Sequence, residues 1–258
     1  MPDARVAAVE DNLEHFLRTV SQAPMLERGP DDDVVCWWSG HPDPILNAIT
    51  AARFGVGDVE RRAREVVGPY LDRGLPFMWW SAPSGHAVEL APVLTGLGLV
   101  HLEIPGMYVE MRSPIRPRLD DRAVVRQVAG VADLHESCAV MLEGFEIPSE
   151  VHEPYLDLIT LLDGDALVQV TAWWEGDPVG CGTAWISGDT AGLYNITTLE
   201  RARRRGIGRA VTATLMDAAL ARGARRAILH ASDAGLAVYR RLGFETVCQV
   251  PQFLWLPE

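Results

Sequence analysis

The chain has 258 residues, of which 48% are hydrophobic and 22% charged, and its formal charge is −12. That length suits two ordinary domains, and the composition supplies apolar material for two cores. So acidic a chain, with no apolar run near the roughly 20 residues of a membrane span, argues against general nucleic-acid binding and against a spanning helix. The first residues after Met1 turn acidic instead of apolar, so no secretory signal is read there. Four scattered cysteines, Cys36, Cys138, Cys181 and Cys248, form no CxxC pair. They read as buried thiols of a reduced cytoplasmic protein, with no metal site.

The N-terminal half carries a row of landmarks: Asn47-Ala-Ile-Thr50, Arg53-Phe-Gly55-Val-Gly57, Gly74 after a helix, and the apolar stretch and small-residue turn Phe77 to Gly85. Leu97-Gly98-Leu99 follows, then Ile104-Pro105 with Met107 to Met111. Trp37, Trp38, Trp79 and Trp80 are read as packing residues, with the lining of a substrate cleft as the alternative. Arg112 to Leu119 holds two prolines and little periodicity, which marks a linker and divides the chain into domains 1–115 and 116–258.

Beyond it, Val124–Val128 reads as a strand, and Leu134, Cys138, Met141, Leu142 and Phe145 give a helix over Ala132–Phe145. A second helix is expected over Ser149–Leu162. Strands Ala166–Trp174, Val179–Ile186 and Gly192–Leu199 are separated by Glu175-Gly-Asp-Pro178 and Ser187-Gly-Asp-Thr190, both rich in hairpin residues. A helix from about Gly206 to Arg222 stops at Gly223. Then come strand Arg226–Ala231, helix Ala234–Leu242, and two short strands around Pro251.

The two halves echo one another. Asn47 answers Asn195, with Gly74 27 residues beyond the first and Gly223 28 beyond the second. Leu97-Gly98-Leu99 answers Leu242-Gly243-Phe244, and Ile104-Pro105 answers Val250-Pro251. Landmarks in the same order at nearly the same spacing indicate a duplicated unit, of which the first copy is degenerate.

Charge is unevenly placed. From Gln127 to Glu200 the chain has thirteen carboxylates and neither Arg nor Lys. Five arginines then fall within nine residues: Arg201, Arg203, Arg204, Arg205 and Arg209. Arg203-Arg-Arg-Gly206-Ile-Gly208 lies between a strand and a helix. Glycines there admit close approach to the backbone, the first helical N–H groups are unpaired, and arginines add charge-assisted bonds, so the segment reads as an anion site. A second motif is Ser232-x-x-Gly235-x-x-x-Tyr239-x-x-x-Gly243-Phe244.

Taken together, strand Tyr194–Leu199, loop Arg203–Gly208 with its helix, strand Ala227–Ala231, and Tyr239 with Gly243-Phe244 resemble the GNAT N-acetyltransferase superfamily. The resemblance covers about Leu119 to Glu258, and the whole chain is similar to GNAT proteins with a degenerate N-terminal copy. It implies an α/β (α+β) protein of tandem GNAT-like domains, each a mixed, mostly antiparallel sheet flanked by helices. It also implies acetyl-CoA as co-substrate. Its pyrophosphate would lie on Arg203, Arg204, Arg205, Gly206, Ile207, Gly208 and Arg209. Its pantetheine would lie on a bulged Ile196, Thr197, Thr198 and Leu199, with Ser232 standing where the family often has Asn. Tyr239 would protonate the departing thiolate. Leu94 replaces that tyrosine in the first copy, which is expected not to bind CoA productively.

The acceptor is a small-molecule or peptide amine, expected to be cationic because the segments that rim the acceptor side of such a fold carry the thirteen carboxylates. The amine must lose a proton, since free alkylamines titrate near 10. His230, at a strand end, and Glu143 with Glu146, after a helix, are the candidate bases, with a water chain as the alternative. A non-catalytic acyl-CoA-binding module is the alternative function.

Overall fold

The computed structural model describes residues 3–30, 32–116, 119–162 and 164–257. Pro117 and Arg118 of the linker, and Asp163 among the thirteen carboxylates, lie outside them. The chain forms two compact units. One takes residues up to Pro105 together with those from Cys248, and the other takes Gly106–Val247. Division by contact thus moves residues 106–115 to the second unit and those from Cys248 to the first.

The first unit opens with α1 (Ala4–Val20), whose Asp3 carboxylate caps the helix by accepting from the Arg5 amide at 2.9 Å. β1 (Glu27–Arg28), β2 (Val35–Trp38), β3 (Ala48–Thr50), α2 (Val59–Arg73), β4 (Phe77–Trp80) and α3 (Ala87–Gly96) follow. β5 (Val100–Glu110) gives its first residues to this unit and those from Gly106 to the other. Trp37, Tyr70, Phe77 and Trp79 are fully buried in the core of the first unit, which settles two of the four tryptophans as packing residues.

The second unit continues with β6 (Ala123–Gln127), α4 (Val131–Gly144), a 3-10 turn Ser149–Val151 and α5 (His152–Leu161). The single helix expected over Ser149–Leu162 is therefore two pieces. β7 (Leu167–Trp174), β8 (Asp177–Ser187) and β9 (Thr190–Thr198) form a meander whose tight turns are the two read from sequence. Glu175 and Gly176 both take positive φ, at 54° and 95°, as a type I′ turn requires; Gly188 takes 58° at the first position of the next turn. α6 (Ile207–Ala221), β10 (Arg226–His230), α7 (Asp233–Arg241) and β11 (Glu245–Trp255) complete the chain. Strand order in this unit is β5-β10-β9-β8-β7-β6, antiparallel except for the parallel pair β9–β10.

β11 runs unbroken through Pro251, where two short strands were expected. Proline removes a donor but leaves its carbonyl, and the Pro251 carbonyl accepts from the Ser81 amide at 3.0 Å. Residues Gln252–Trp255 then pair antiparallel with β4, so the end of the chain completes the first unit. Among the described residues no helix is long and apolar enough to cross a membrane.

β8 is buried along most of its length, with α4 and α6 packed against it. Its glycines permit that approach. A Cβ on Gly182 would lie 2.9 Å from Leu215 and 3.0 Å from both Ile196 and Val211, and one on Gly180 would lie 2.9 Å from Ile207. Gly182→Ala should therefore overpack three side chains at once and cost about 1–3 kcal/mol. Thermal unfolding should fall by about 2–4 °C per kcal/mol; an unchanged melting temperature would refute this account of the glycine.

Candidate active site

β9 and β10 pair from Thr190↔Arg226 to Leu193↔Leu229 and then part. β9 continues to Thr198 on its β8 side, while β10 ends at His230 and the chain turns into α7. Parting parallel strands leave a crevice at their carboxyl ends, the usual ligand position in such sheets. The β8–β9 register shifts between Cys181↔Thr197 and Thr183↔Tyr194, so Asn195 and Ile196 oppose Gly182 in a bulge. Asn195 takes φ 53°, a left-handed conformation that Asn tolerates better than most residues.

Strand alternation fixes what the open edge presents. The Leu199 amide donates to the Val179 carbonyl on β8 at 2.8 Å. Counting back by twos, the Thr197 amide also faces β8, and the Ile196 and Thr198 amides face the crevice. The Thr198 carbonyl, on the same edge, accepts from Arg203 Nε at 3.2 Å.

The loop beyond β9 is shaped by a 3-10 turn at Glu200–Ala202 and by positive φ at Arg204 (64°) and Gly206 (81°). Gly206 caps α6 with no side chain, which leaves the Ile207, Gly208 and Arg209 amides as the first unpaired donors of the helix. Gly208 faces β9, where a Cβ would lie 3.4 Å from Thr198 Oγ1. Arg203, Arg204, Arg205 and Arg209 are exposed around these donors. Arg205 lies 4.4 Å over the Trp174 ring, which Arg122 covers at 4.5 Å.

α7 supplies the other wall. Ser232 precedes it in an extended conformation, and Gly235 lets the Tyr239 ring lie back on the first turn: a Cβ on Gly235 would be 2.6 Å from Tyr239 Cε2. The ring thus leans toward the helix N-terminus, the end nearest the crevice. Tyr239 is buried, packs edge-on to Phe244, and burial pushes its hydroxyl up to about 12. His230 stacks on Tyr194 with centroids 6.1 Å apart. The residue is half-buried overall, but its Nε2 has no exposed surface, and desolvation lowers its pKa to about 4.

At the end of α4, Gly144 touches Thr197 so closely that a Cβ would be 2.4 Å from Thr197 Oγ1. Glu143, next to it, forms an ion pair with Arg201 at 2.5 Å.

Residues 131–244 match the model of the acetyltransferase (GNAT) family. The match identifies this segment, and not the chain as a whole, with that family. The matched segment is thus a domain of the acyl-CoA-dependent N-acyltransferase kind, with acetyl-CoA as co-substrate. The whole chain is also similar in fold to a GCN5-related N-acetyltransferase from Kribbella flavida, at 18% identity and a TM-score of 0.72 over 98% of this chain and 96% of that one. A GCN5-related N-acetyltransferase from Sphaerobacter thermophilus gives 14% and 0.66 over 98% and 90%. A functionally unknown conserved protein from Staphylococcus epidermidis gives 14% and 0.65 over 90% and 95%. No curated protein matches the chain.

In this GNAT domain, Ile196 to Leu199 and Arg203 to Arg209 come together at the end of the parted strands, and Ser232 with Tyr239 lies on the following helix. Glu143 meets the arginine loop through Arg201. Sequence reasoning did not single out Asn195 as the bulge residue, nor Tyr155, whose hydroxyl accepts from Asn195 Nδ2 at 3.2 Å. It also missed Trp174 beneath Arg205. An asparagine inside a strand was the one available signal; nothing in the sequence pairs it with Tyr155.

The first unit repeats the arrangement in altered form. β3 and β4 pair in parallel at Ala48↔Met78 and Ile49↔Trp79, and the positive φ comes at Ala51, 54° against 53° at Asn195. The counterpart of Asn195 is therefore Ala51, and the alignment of Asn47 with Asn195 is displaced by four residues. The Asn47 carboxamide instead binds Ser39, His41, Asp43 and Pro76 and ties down the preceding loop. Phe54 is buried against Trp79 and His86 where the second unit has its loop. A cleft of ≈ 460 Å³ nearby is lined by Asp32, Asp33, Gly55, Asp58, Arg61 and Arg62. Its arginines pair with carboxylates of the same unit, Arg62 with Asp33 at 2.6 Å and Arg61 with Asp58 at 2.8 Å. Leu94, fully buried, stands where Tyr239 stands.

Because the folded chain holds His230 at about 4, the unfolded chain takes up its proton at higher pH than the native state does. The stability this group contributes is complete above about pH 6.5 and is lost as the pH falls toward 4. His230→Gln should remove that component. The unfolding free-energy difference between the native protein and the variant should be flat above pH 7 and move in the variant's favour by roughly 2–3 kcal/mol by pH 4. A constant difference across the range would contradict the burial of the ring.

Proposed function

We propose that the second unit moves an acetyl group from acetyl-CoA to a cationic amine by direct attack. The observation that carries the reading is the open edge of β9 beside the arginine loop. Outward amides at Ile196 and Thr198 offer donors to an extended amide-bearing chain, and the helix start with Arg203, Arg204, Arg205 and Arg209 offers them to phosphates. Ser232 and Tyr239 complete the wall. In the first unit Phe54 is buried at the corresponding loop, and Arg61 and Arg62 are held by carboxylates.

In the transfer, the neutral amine attacks the thioester carbonyl carbon, a C–N bond forms, and the carbonyl pair moves to oxygen. A crevice-facing amide of the bulge stabilises that oxygen. The C–S bond then breaks and CoA leaves as the thiolate, while the amine nitrogen gives up its proton. His230, lowered to about 4, is too weak a base to hold that proton, and we assign the proton to water leading from the site. Glu143, bound to Arg201, is assigned a part in ordering the loop beside the acceptor in place of a free base.

Tyr239 acts on the sulfur. Its hydroxyl, at about 12, lies well above an ordinary thiol near 8.5, so complete proton transfer to the thiolate is uphill by roughly 5 kcal/mol. Donation of a hydrogen bond to the developing thiolate carries no such cost. Tyr239→Phe should lower kcat by at least about 10-fold while CoA affinity stays within a few-fold, since the bond strengthens only as sulfur becomes charged. Stopped-flow thiol release with chemistry rate-limiting tests this, and an unchanged kcat removes Tyr239 from the step.

The cationic acceptor follows from the charge map. Glu146, Glu150, Glu153 and Asp157 are exposed along the end of α4, the 3-10 turn and α5, in a segment without Arg or Lys. Guanidinium groups collect on the loop, so the domain is positive toward phosphate and negative toward the amine. Such a field concentrates a cationic acceptor and fades with salt. The acceptor kcat/KM should fall on the order of 10-fold as ionic strength rises from about 0.01 to 0.5 M. Glu146→Gln with Glu150→Gln should flatten that dependence; these two are chosen because Glu143 is already paired. A preferred acceptor that is neutral or anionic would overturn this part and leave acyl transfer in place.

A further inference from the structure

We propose that Tyr155 is a positioning residue for the transfer step: its hydroxyl holds the Asn195 side chain, and with it the peptide plane that carries the Ile196 amide. This rests on the acetyl-transfer reading above. It adds a residue on α5 that touches neither the phosphate loop nor Tyr239.

The peptide between Asn195 and Ile196 is planar, so the direction of the Ile196 N–H is set by the backbone angles of Asn195. Those angles are unusual, with φ at 53°. A side chain at positive φ costs about 1 kcal/mol or more in general, and that conformation persists where the surroundings hold it. Here two contacts do so. Asn195 Nδ2 donates to Tyr155 Oη at 3.2 Å, and the Asn195 carbonyl accepts from the Cys181 thiol at 3.7 Å. Tyr155 cannot readily give way. It is 5% exposed and sits on the buried face of α5 with Leu158 and Ile159. A phenol so enclosed requires a polar partner, and Asn195 is that partner. Opposite the bulge, Gly182 leaves room for Ile196 and for α6, so the backbone can take this shape without collision. If the Asn195 side chain were released, the residue would be free to return toward extended angles. The Ile196 amide would then turn from the crevice.

The test is a double-mutant cycle on the full chain with Tyr155→Phe, Asn195→Gly and the pair together. Glycine takes positive φ at no steric cost, so Asn195→Gly removes the side-chain bond while keeping the backbone conformation accessible. Two signals are read beside CoA affinity. One is the single-turnover rate with a cationic amine. The other is the infrared carbonyl stretch of bound 13C-labelled acetyl-CoA, which reports polarisation by the bulge amide without an acceptor. In the native background Tyr155→Phe should lower the rate about 10-fold and shrink the carbonyl shift, with CoA affinity within about 3-fold. In the Asn195→Gly background the same change should alter either signal less than about 2-fold. Equal losses in both backgrounds, or no loss in the native one, would overturn the proposal and leave Tyr155 as packing. If Tyr155→Phe fails to fold, Asn195→Ala against Asn195→Gly decides. Alanine must hold positive φ unaided and should lose more, and the reverse order overturns the proposal. Failure of the native protein to bind acetyl-CoA would instead overturn the transferase reading itself.

Discussion

The site depends on one interruption of hydrogen bonding. Two parallel strands pair for four residues and stop at Leu193↔Leu229. Backbone donors and acceptors demand partners, so a strand that loses its neighbour on one side becomes a ready template for an extended ligand. β9 keeps β8 on its other side and so stays rigid while its free edge faces the crevice. The glycines of β8 act in the same cause. By admitting α6 and the bulge they bring the first amides of the helix close to the last residues of the strand. Strand edge, helix start and arginines thus form one continuous surface of donors.

The same interruption occurs in the first unit with different neighbours. There β3 and β4 also part, and the following residue also turns left-handed. Phe54 packs on Trp79 there, and Glu14, Asp58 and Asp33 pair with Arg53, Arg61 and Arg62. Burying those aromatic surfaces stabilises the unit.

The arginine loop and Tyr239 were legible in the sequence because their roles need particular residue types at fixed offsets. Gly206 must adopt 81°, and Gly235 must make way for a ring. The hairpins were legible for the same reason. What escaped reading was decided by contacts between distant segments. Nothing near Asn195 announces Tyr155 forty positions earlier, and nothing near Glu143 announces Arg201. Pro251 signals a break by its own chemistry, yet it supplies a carbonyl to Ser81 and the strand continues. Asn47 looked like the partner of Asn195 because the letters agree, whereas the backbone angles align Ala51 with it.

The placement of β11 bears on how the protein is made. Its residues Gln252–Trp255 complete the sheet of the first unit, pairing with a strand synthesised long before. Domains usually fold in the order in which they leave the ribosome. Here the first unit must wait, with the β4 edge uncovered, until residues Gln252–Trp255 have been made. Every residue of the C-terminal unit has by then been translated. The second unit is therefore the one able to fold first, and the first unit closes behind it when β11 joins β4. A chain cut short before Gln252 would hold every residue of the second unit and lose the strand that pairs with β4.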